Sequence, residues 1–242
     1  MKYIITALLT FLLIAVTAQS ALSLIDEKKY YVSPTGSDSN SGSPSLPFRT
    51  IQKALNVAQP GDTVNLMSGE YRENIKSVRD GTSDRPITIK GDSNVILRSG
   101  GSGNRIFEIN HDYIYVRDFT VDGLVKEGDT ADDYADKLIY VQGTDSGGVK
   151  GLKILNMKFK NAGGEALRLR YFIRNAEVAY STFENIGVYD FKFNGGGKNG
   201  EAIYLGTSSN QWADGKNPTS DADVSANNRI HHNYFNTQGN EC

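Results

Sequence analysis

Arg168, Arg170 and Tyr204 are the residues of this 242-residue chain whose types and spacing best suit recognition of an acid. They lie in two copies of one phrase, Gly164-Glu165-Ala166-Leu167-Arg168-Leu169 and Gly200-Glu201-Ala202-Ile203-Tyr204-Leu205. Alternation along a strand turns Leu167 and Leu169 inward and Arg168 and Arg170 outward, and by the same parity Tyr204 outward between Ile203 and Leu205. If the two strands are stacked neighbours, Arg168 and Tyr204 stand roughly 4.8 Å apart on one outer face. A guanidinium matches a carboxylate as a bidentate fork, and a phenol ring offers a stacking face, which together suit an anionic sugar. A solvated outer face without a ligand satisfies the same periodicity.

The phrase also aligns Glu165 and Glu201 with Glu241 of a partial third copy, Gly239-Asn240-Glu241-Cys242. Carboxylates stacked at strand spacing repel unless a cation, a basic partner or protonation relieves them. Converging carboxylate and amide oxygens are what calcium takes, and Asn199, Glu201 and Glu241 are the candidate ligands. Parity gives Glu201 the inward sense of Ile203, so it belongs either in the turn before the strand, accepting backbone N–H groups, or in a buried pair. His231 and His232 are adjacent, and neighbours on a strand face opposite sides, so they are not expected to form one site. Asn161 and Asn185, each two residues after a repeated phenylalanine, are expected to form a side-chain amide ladder at a corner.

The elements that must position these residues follow from the repetition itself. Phe-x-x-x-Gly recurs at Phe119, Phe159, Phe183 and Phe235, read as an aromatic followed by a tight turn on glycine. Self-similarity of this kind is the signature of a coil stacking on itself. The step from Phe159 to Phe183 is one turn of a parallel β-helix, and the longer steps carry inserted loops over 125–136 and 189–228, on one face. Short alternating runs between Thr63 and Ile230, separated by Gly, Asn and Asp, read as its strands, with Gly69 to Glu73 as a turn. An antiparallel sandwich is the competing arrangement, but hairpin signals are sparse. Ahead of the strands, Thr50 caps a helix with Ile51, Ala54, Leu55 and Ala58 on one face, suited to covering the first open edge. The fold expected is all-β, a solenoid with an N-terminal capping helix.

Composition bounds the partners and the compartment. A formal net charge of −2 and 38% hydrophobic residues describe one domain's core and give no support to nucleic-acid binding. Lys2, the apolar run Ile4 to Val16 and the small residues that follow read as a secretory signal peptide over 1–23, followed by one domain over 24–242. No later stretch is apolar enough to span a bilayer, so a secreted, monomeric protein is expected. The lone Cys242 and the interrupted third phrase read as the N-terminal part of something longer.

Two stretches resemble a known family. Ser43-Pro44-x-x-Pro47-Phe48-Arg49-Thr50-Ile51-Gln52-Lys53-Ala54-Leu55, with Pro60-Gly61-Asp62-Thr63-Val64 and Gly69-x-Tyr71-Arg72-Glu73, resembles the cap and first turn of secreted right-handed parallel β-helix proteins, the superfamily of pectate lyases, alginate lyases and chondroitinase B. Asn199-Gly200-Glu201-Ala202-Ile203-x-Leu205-Gly206-x-Ser208, with Asn233-x-Phe235 and Gly239-x-Glu241, is similar to the calcium-site region of the chondroitinase B and alginate lyase branch. The resemblance implies a right-handed coil and calcium-assisted β-elimination on a uronic-acid polysaccharide. It makes Asn199 and Glu241 calcium ligands and places the lysine base and the arginine acid beyond Cys242. Asn240 inside the Gly-Glu pair, Tyr204 in place of an outward arginine, and the insertion from Trp212 to Asn227 depart from the pattern. The alternative is a non-catalytic β-helix that binds glycans or serves at a surface.

Overall fold

The computed structural model describes residues 27–101, 105–128, 130–195 and 200–238. Strand β1 (Lys29–Val32) leads to helix α1 (Ile51–Val57), which buries Ile51, Ala54 and Leu55. The Thr50 hydroxyl accepts from the Lys53 N–H, so the predicted cap forms. Two residues of the following coil clamp the helix ends. The Glu73 carboxylate accepts from the N–H groups of Ile51 (2.8 Å) and Gln52 (3.2 Å), and the Arg79 guanidinium donates to the carbonyls of Asn56 and Ala58. Anion at the N-terminus and cation at the C-terminus both oppose the helix dipole. Glu73→Ala is therefore expected to destabilise the protein by about 1–2 kcal/mol, read as a lower denaturant midpoint with unchanged slope.

Beyond the helix the chain is a stack of coils. The first is β2 (Thr63–Leu66), β3 (Gly69–Arg72) and β4 (Ile75–Lys76). The second is β5 (Ile87–Lys90), β6 (Val95–Arg98) and β7 (Arg105–Ile109), and the third β8 (Ile114–Arg117), β9 (Thr120–Asp122) and β10 (Lys137–Gln142). The fourth runs through β11 (Val149–Lys150), β12 (Lys153–Leu155), β13 (Lys158–Ala162) and β14 (Leu167–Arg170). The fifth runs through β15 (Ile173–Arg174), β16 (Glu177–Ala179), β17 (Thr182–Ile186), the short helix α2 (Val188–Phe191) and β18 (Ile203–Leu205). Strands β19 (Arg229–His231) and β20 (Tyr234–Asn236) begin the next. Three parallel sheets result, ordered β1-β2-β5-β8-β12-β16-β19, β3-β6-β9-β13-β17-β20 and β4-β7-β10-β14-β18, with β11 and β15 paired at a corner. Leu167 pairs with Ile203 and Arg168 with Tyr204, in parallel, as the repeated phrase required.

Alternate side chains fill the coil interior, as strand parity requires. Ile87, Ile89, Val95, Leu97, Ile114 and Val116 are all buried. One inward column of the second sheet runs Tyr71, Leu97, Val121, Phe159, Phe183, Phe235, and its last three rings stack at 5.0 Å per step. Phe119 does not belong to it: Val121 is the residue in register with Phe159, so the Phe-x-x-x-Gly match at 119 is out of register by two. The phenylalanines at 159, 183 and 235 lie in strands, with Gly163 and Gly187 just past the strand ends, whereas Gly69 to Arg72 is a strand and not the turn expected. The repeated glycines also differ in their reason. Gly187 has φ 81°, whereas Gly123 and Gly163 serve close approach: a Cβ would stand 1.9 Å from the Asn161 carbonyl oxygen and 2.3 Å from the Tyr189 ring, respectively. The amide ladder forms, Asn185 Nδ2 donating to Asn161 Oδ1 (3.4 Å) and Asn161 Nδ2 to Asp122 Oδ1 (2.8 Å).

The longer insertion is pinned at its far end by side chains that stand in for a coil's backbone. The Asp223 carboxylate accepts from the N–H groups of Tyr171 and Phe172, and Asn228 bridges the Ala176 N–H and the Ile173 carbonyl. The segment from 207 to 221 thereby returns across the outer face of the third sheet.

Candidate active-site cleft

The third sheet presents one outward row in register: Lys76, Glu108, Tyr140, Arg168, Tyr204. Its last three members alternate ring, cation and ring, and Arg105 from the neighbouring row adds a second cation. The Arg105 guanidinium lies 3.5 Å from the Tyr140 ring centroid, and that of Arg168 lies 3.5 Å from the Tyr204 centroid. Each ring face attracts its cation electrostatically and fixes the plane of the guanidinium. Arg170, two residues after Arg168, heads the next outward row beside Gln142.

Strand entrances supply the remaining groups. By register, Arg105, Lys137, Glu165 and Glu201 follow one another up the stack where each strand begins. Parity would turn them inward, but at this corner the side chains of Arg105, Lys137 and Glu165 line the cleft. Together these groups and the segment above enclose a cleft of about 510 Å³, lined by the cations Arg105, Lys137, Arg168, Arg170 and Lys216 and the acids Asp136 and Glu165, with Glu108 paired to Arg105 and Asp214 to Arg170 and Lys216 at its edge. A chain of net charge −2 thus gathers a surplus of cations in one place, which raises the local concentration of anions.

Glu165 holds that cluster together. Its side chain is 1% exposed, with Oε1 3.2 Å from Arg168 Nη1 and Oε2 3.7 Å from Lys137 Nζ, while Lys137 also contacts Asp136. Burial pushes the Glu165 carboxyl above the usual carboxylate range, and the Lys137 and Arg168 charges pull it back. The repulsion expected between stacked glutamates is relieved here by basic partners.

Arg168 and Arg170 point away from the coil axis, as parity predicted, yet they are not a solvated face. Both are buried, 5% and 6% exposed, because the 207–221 segment roofs them. Gln211 accepts from Arg168 Nη2 (3.4 Å), Asn217 accepts from Arg170 Nε (2.9 Å), and Asp214 meets Arg170 Nη2 (3.5 Å). Gln142 Nε2 donates to the Lys216 carbonyl across the cleft (2.6 Å). Tyr204 stays half-buried at the rim.

The proposed calcium ligands fare differently. Asn199 and Glu241, and residues 1–23, on which a signal peptide was expected, lie outside the described residues; Glu201 is half-buried one coil above Glu165. Among the described residues, no group of three or more His, Cys, Asp or Glu is placed to hold a metal ion. The equivalent carboxylate, Glu165, is engaged by two cations, so the described part of the cleft does not fit calcium.

The histidine pair corrects the parity argument. His232 has φ 54°, which turns its ring to the side of His231; the two Nδ1 atoms are 2.7 Å apart, and His231 Nε2 lies 3.0 Å from Glu177 Oε1. The pair sits at the end of the first sheet, away from the cleft. Conversely, the residues not foreseen are Arg105, Lys137, Tyr140 and Asp136. Lys137-Leu-Ile-Tyr140 carried the only signal: it aligns with Glu165-Ala-Leu-Arg168, but no Gly-Glu precedes it.

The molecule is thus a stack of parallel coils with a cation-lined cleft on one sheet face. The sequence matches the family described as Pel9A-like, right handed beta helix region, over residues 30–203, and the chain belongs to that family. It is 33% identical over 121 residues to the uncharacterized protein YwoF of Bacillus subtilis strain 168, covering 48% of this chain and 26% of YwoF. It is 37% identical over 62 residues to the pectate lyase PEL9 of Emericella nidulans, covering 25% of this chain and 15% of that one. Among solved structures, the alginate lyase of Paenibacillus sp. str. FPU-7 superposes with TM-score 0.64 at 19% identity, over 86% of this chain and 58% of the lyase. The GH136 lacto-N-biosidase of Eubacterium ramulus does so with TM-score 0.63 at 14% identity, over 86% and 41%. At those identities the likeness is one of fold, shared by lyases and a glycosidase alike. The chain spans well under two thirds of each of these proteins. No helix among the described residues is long and apolar enough to cross a membrane.

Proposed function

We propose that this chain carries the substrate-binding half of a secreted polysaccharide lyase that cleaves a uronic-acid polymer by β-elimination. The observation that carries the reading is the cleft's cation surplus beside two ring faces, with Arg168 held between the Tyr204 ring and Glu165. Arg168 and Arg170 bind the sugar carboxylate, and Tyr204 offers its free surface to the ring. Pairing that carboxylate with guanidinium stabilises the negative charge that develops when the C5 proton leaves, the electrostatic term that dominates such steps. The described cleft is given binding and charge neutralisation, and no proton transfer. Calcium at the next coil, with Asn199, Glu201 and Glu241 as ligands, is the second element of the proposal. Glu201 is its one described member, and no step is routed through the ion.

The test is ultraviolet absorbance of unsaturated uronide when the full-length protein meets pectate or alginate, with and without chelator. A rise that chelator suppresses supports both elements; a rise indifferent to chelator removes calcium. Retention of the polymer without any rise supports the second reading, a non-catalytic glycan-binding coil, which the sharing of this fold between lyases and a glycosidase keeps open.

A further inference from the structure

The roof of the cleft is held by polar contacts, not by packing. No residue from 207 to 221 is buried, so the segment contributes little apolar area and belongs to the weakly stabilised part of the molecule. It meets the floor mainly through polar contacts, and one of these is a carboxylate. Asp214 Oδ2 lies 3.5 Å from Arg170 Nη2 and 3.8 Å from Lys216 Nζ, while its Oδ1 accepts from the Lys216 N–H at 2.9 Å. That backbone N–H, with the Arg170 and Lys216 charges, holds the Asp214 carboxyl below its usual range.

The two outward arginines differ in what they hold. Arg168 is paired with Glu165, a buried residue on the rigid floor. Among the described residues, the ion-pair partner of Arg170 is Asp214, on the exposed roof. A contact of 3.5 Å is long for a charge-assisted hydrogen bond, which closes to about 2.7–2.9 Å when well formed. Arg170 is thus a buried guanidinium whose carboxylate partner is weakly seated and borne on a segment that can lift.

We propose that Arg170 forms a carboxylate subsite on the cleft floor and that Asp214 fills it in the free protein as an internal substitute for a substrate carboxylate. A uronate entering the cleft takes the place of Asp214 on Arg170, and the roof rises to admit it. The inference rests on the reading of the cleft as a uronate site and adds the group that competes there. If Asp214 occupies Arg170 about nine-tenths of the time, apparent affinity is reduced about tenfold, because only the open fraction binds.

Equilibrium binding of fluorescent oligogalacturonate and oligomannuronate to wild type, Asp214→Asn and Asp214→Ala tests it, with the methyl-esterified oligosaccharides alongside. Both variants are expected to bind the acids about tenfold more tightly and the esters no better than wild type. In wild type, the acid is also expected to speed proteolysis within 207–221. Wild-type binding that neither variant tightens overturns the inference alone. Tightening toward acid and ester equally overturns it too, since that shows a loosened roof without a competing carboxylate. Absence of acid binding in wild type and variants removes the reading of the cleft and this inference with it. Thermal melts matching wild type show that the variants fold.

Discussion

Arg168→Gln is expected to weaken binding of a uronate oligosaccharide by about 100-fold and to destabilise the protein by about 3 kcal/mol at neutral pH. Both effects follow from the residue's two partners. Its guanidinium lies against the Tyr204 ring and its Nη1 pairs with Glu165, which is 1% exposed. Removing the arginine leaves a buried carboxylate with Lys137 as its remaining cation, 3.7 Å away. Breaking one side of a buried pair costs more than the pair contributes, because the remaining charge stays desolvated. Adding Glu165→Gln to the variant is therefore expected to restore much of the stability and none of the binding. The pH dependence has a definite sign. Glu165 has its carboxyl raised by burial, so its contribution to stability is present below the ordinary glutamate range and is lost as pH rises through the raised value. In Arg168→Gln one opposing charge is gone, and the loss deepens. The gap in stability from wild type should be small in acid and widen toward neutrality, as read by urea midpoints across pH. A gap that stays constant across pH contradicts the pairing.

Phe183→Ala is expected to lower stability by about 4 kcal/mol and the melting temperature by about 10 °C. Phe183 is fully buried, and its ring is stacked between Phe159 and Phe235 at 5.0 Å on either side. Truncation opens a cavity where neither neighbour can collapse, since each is fixed by its own coil. In a stack whose coils touch only their neighbours, the loss falls on the interface between the fourth and fifth coils, next to β14 and β18, which carry Arg168 and Tyr204.

What could be read from the sequence was what repeats. The Gly-Glu-Ala phrase placed Leu167 on Ile203 and Arg168 on Tyr204, because parallel stacking puts like on like. The phenylalanines at 159, 183 and 235 did the same for the second sheet. Phe119 misled because β9 is only three residues long and its inward member is Val121, a residue with no ring to announce the column. Parity failed wherever the backbone turns left-handed: His232, at φ 54°, faces its neighbour instead of opposing it. It failed also at the strand entrances, where Arg105, Lys137 and Glu165 turn into the cleft. The roof was illegible for another reason. Its contacts to Arg168, Arg170 and Gln142 span 43 to 74 residues, and nothing in the irregular 207–221 sequence repeats to reveal what it covers.

On the proposed function, the cleft on the third sheet recognises a sugar by its carboxylate. Calorimetric titration with a uronate oligosaccharide and with the same oligosaccharide reduced at its carboxyl groups measures that directly. The account predicts binding of the acid at least about 100-fold tighter than of the neutral form, with the difference shrinking as salt rises. Equal affinity for the two at low salt would contradict it.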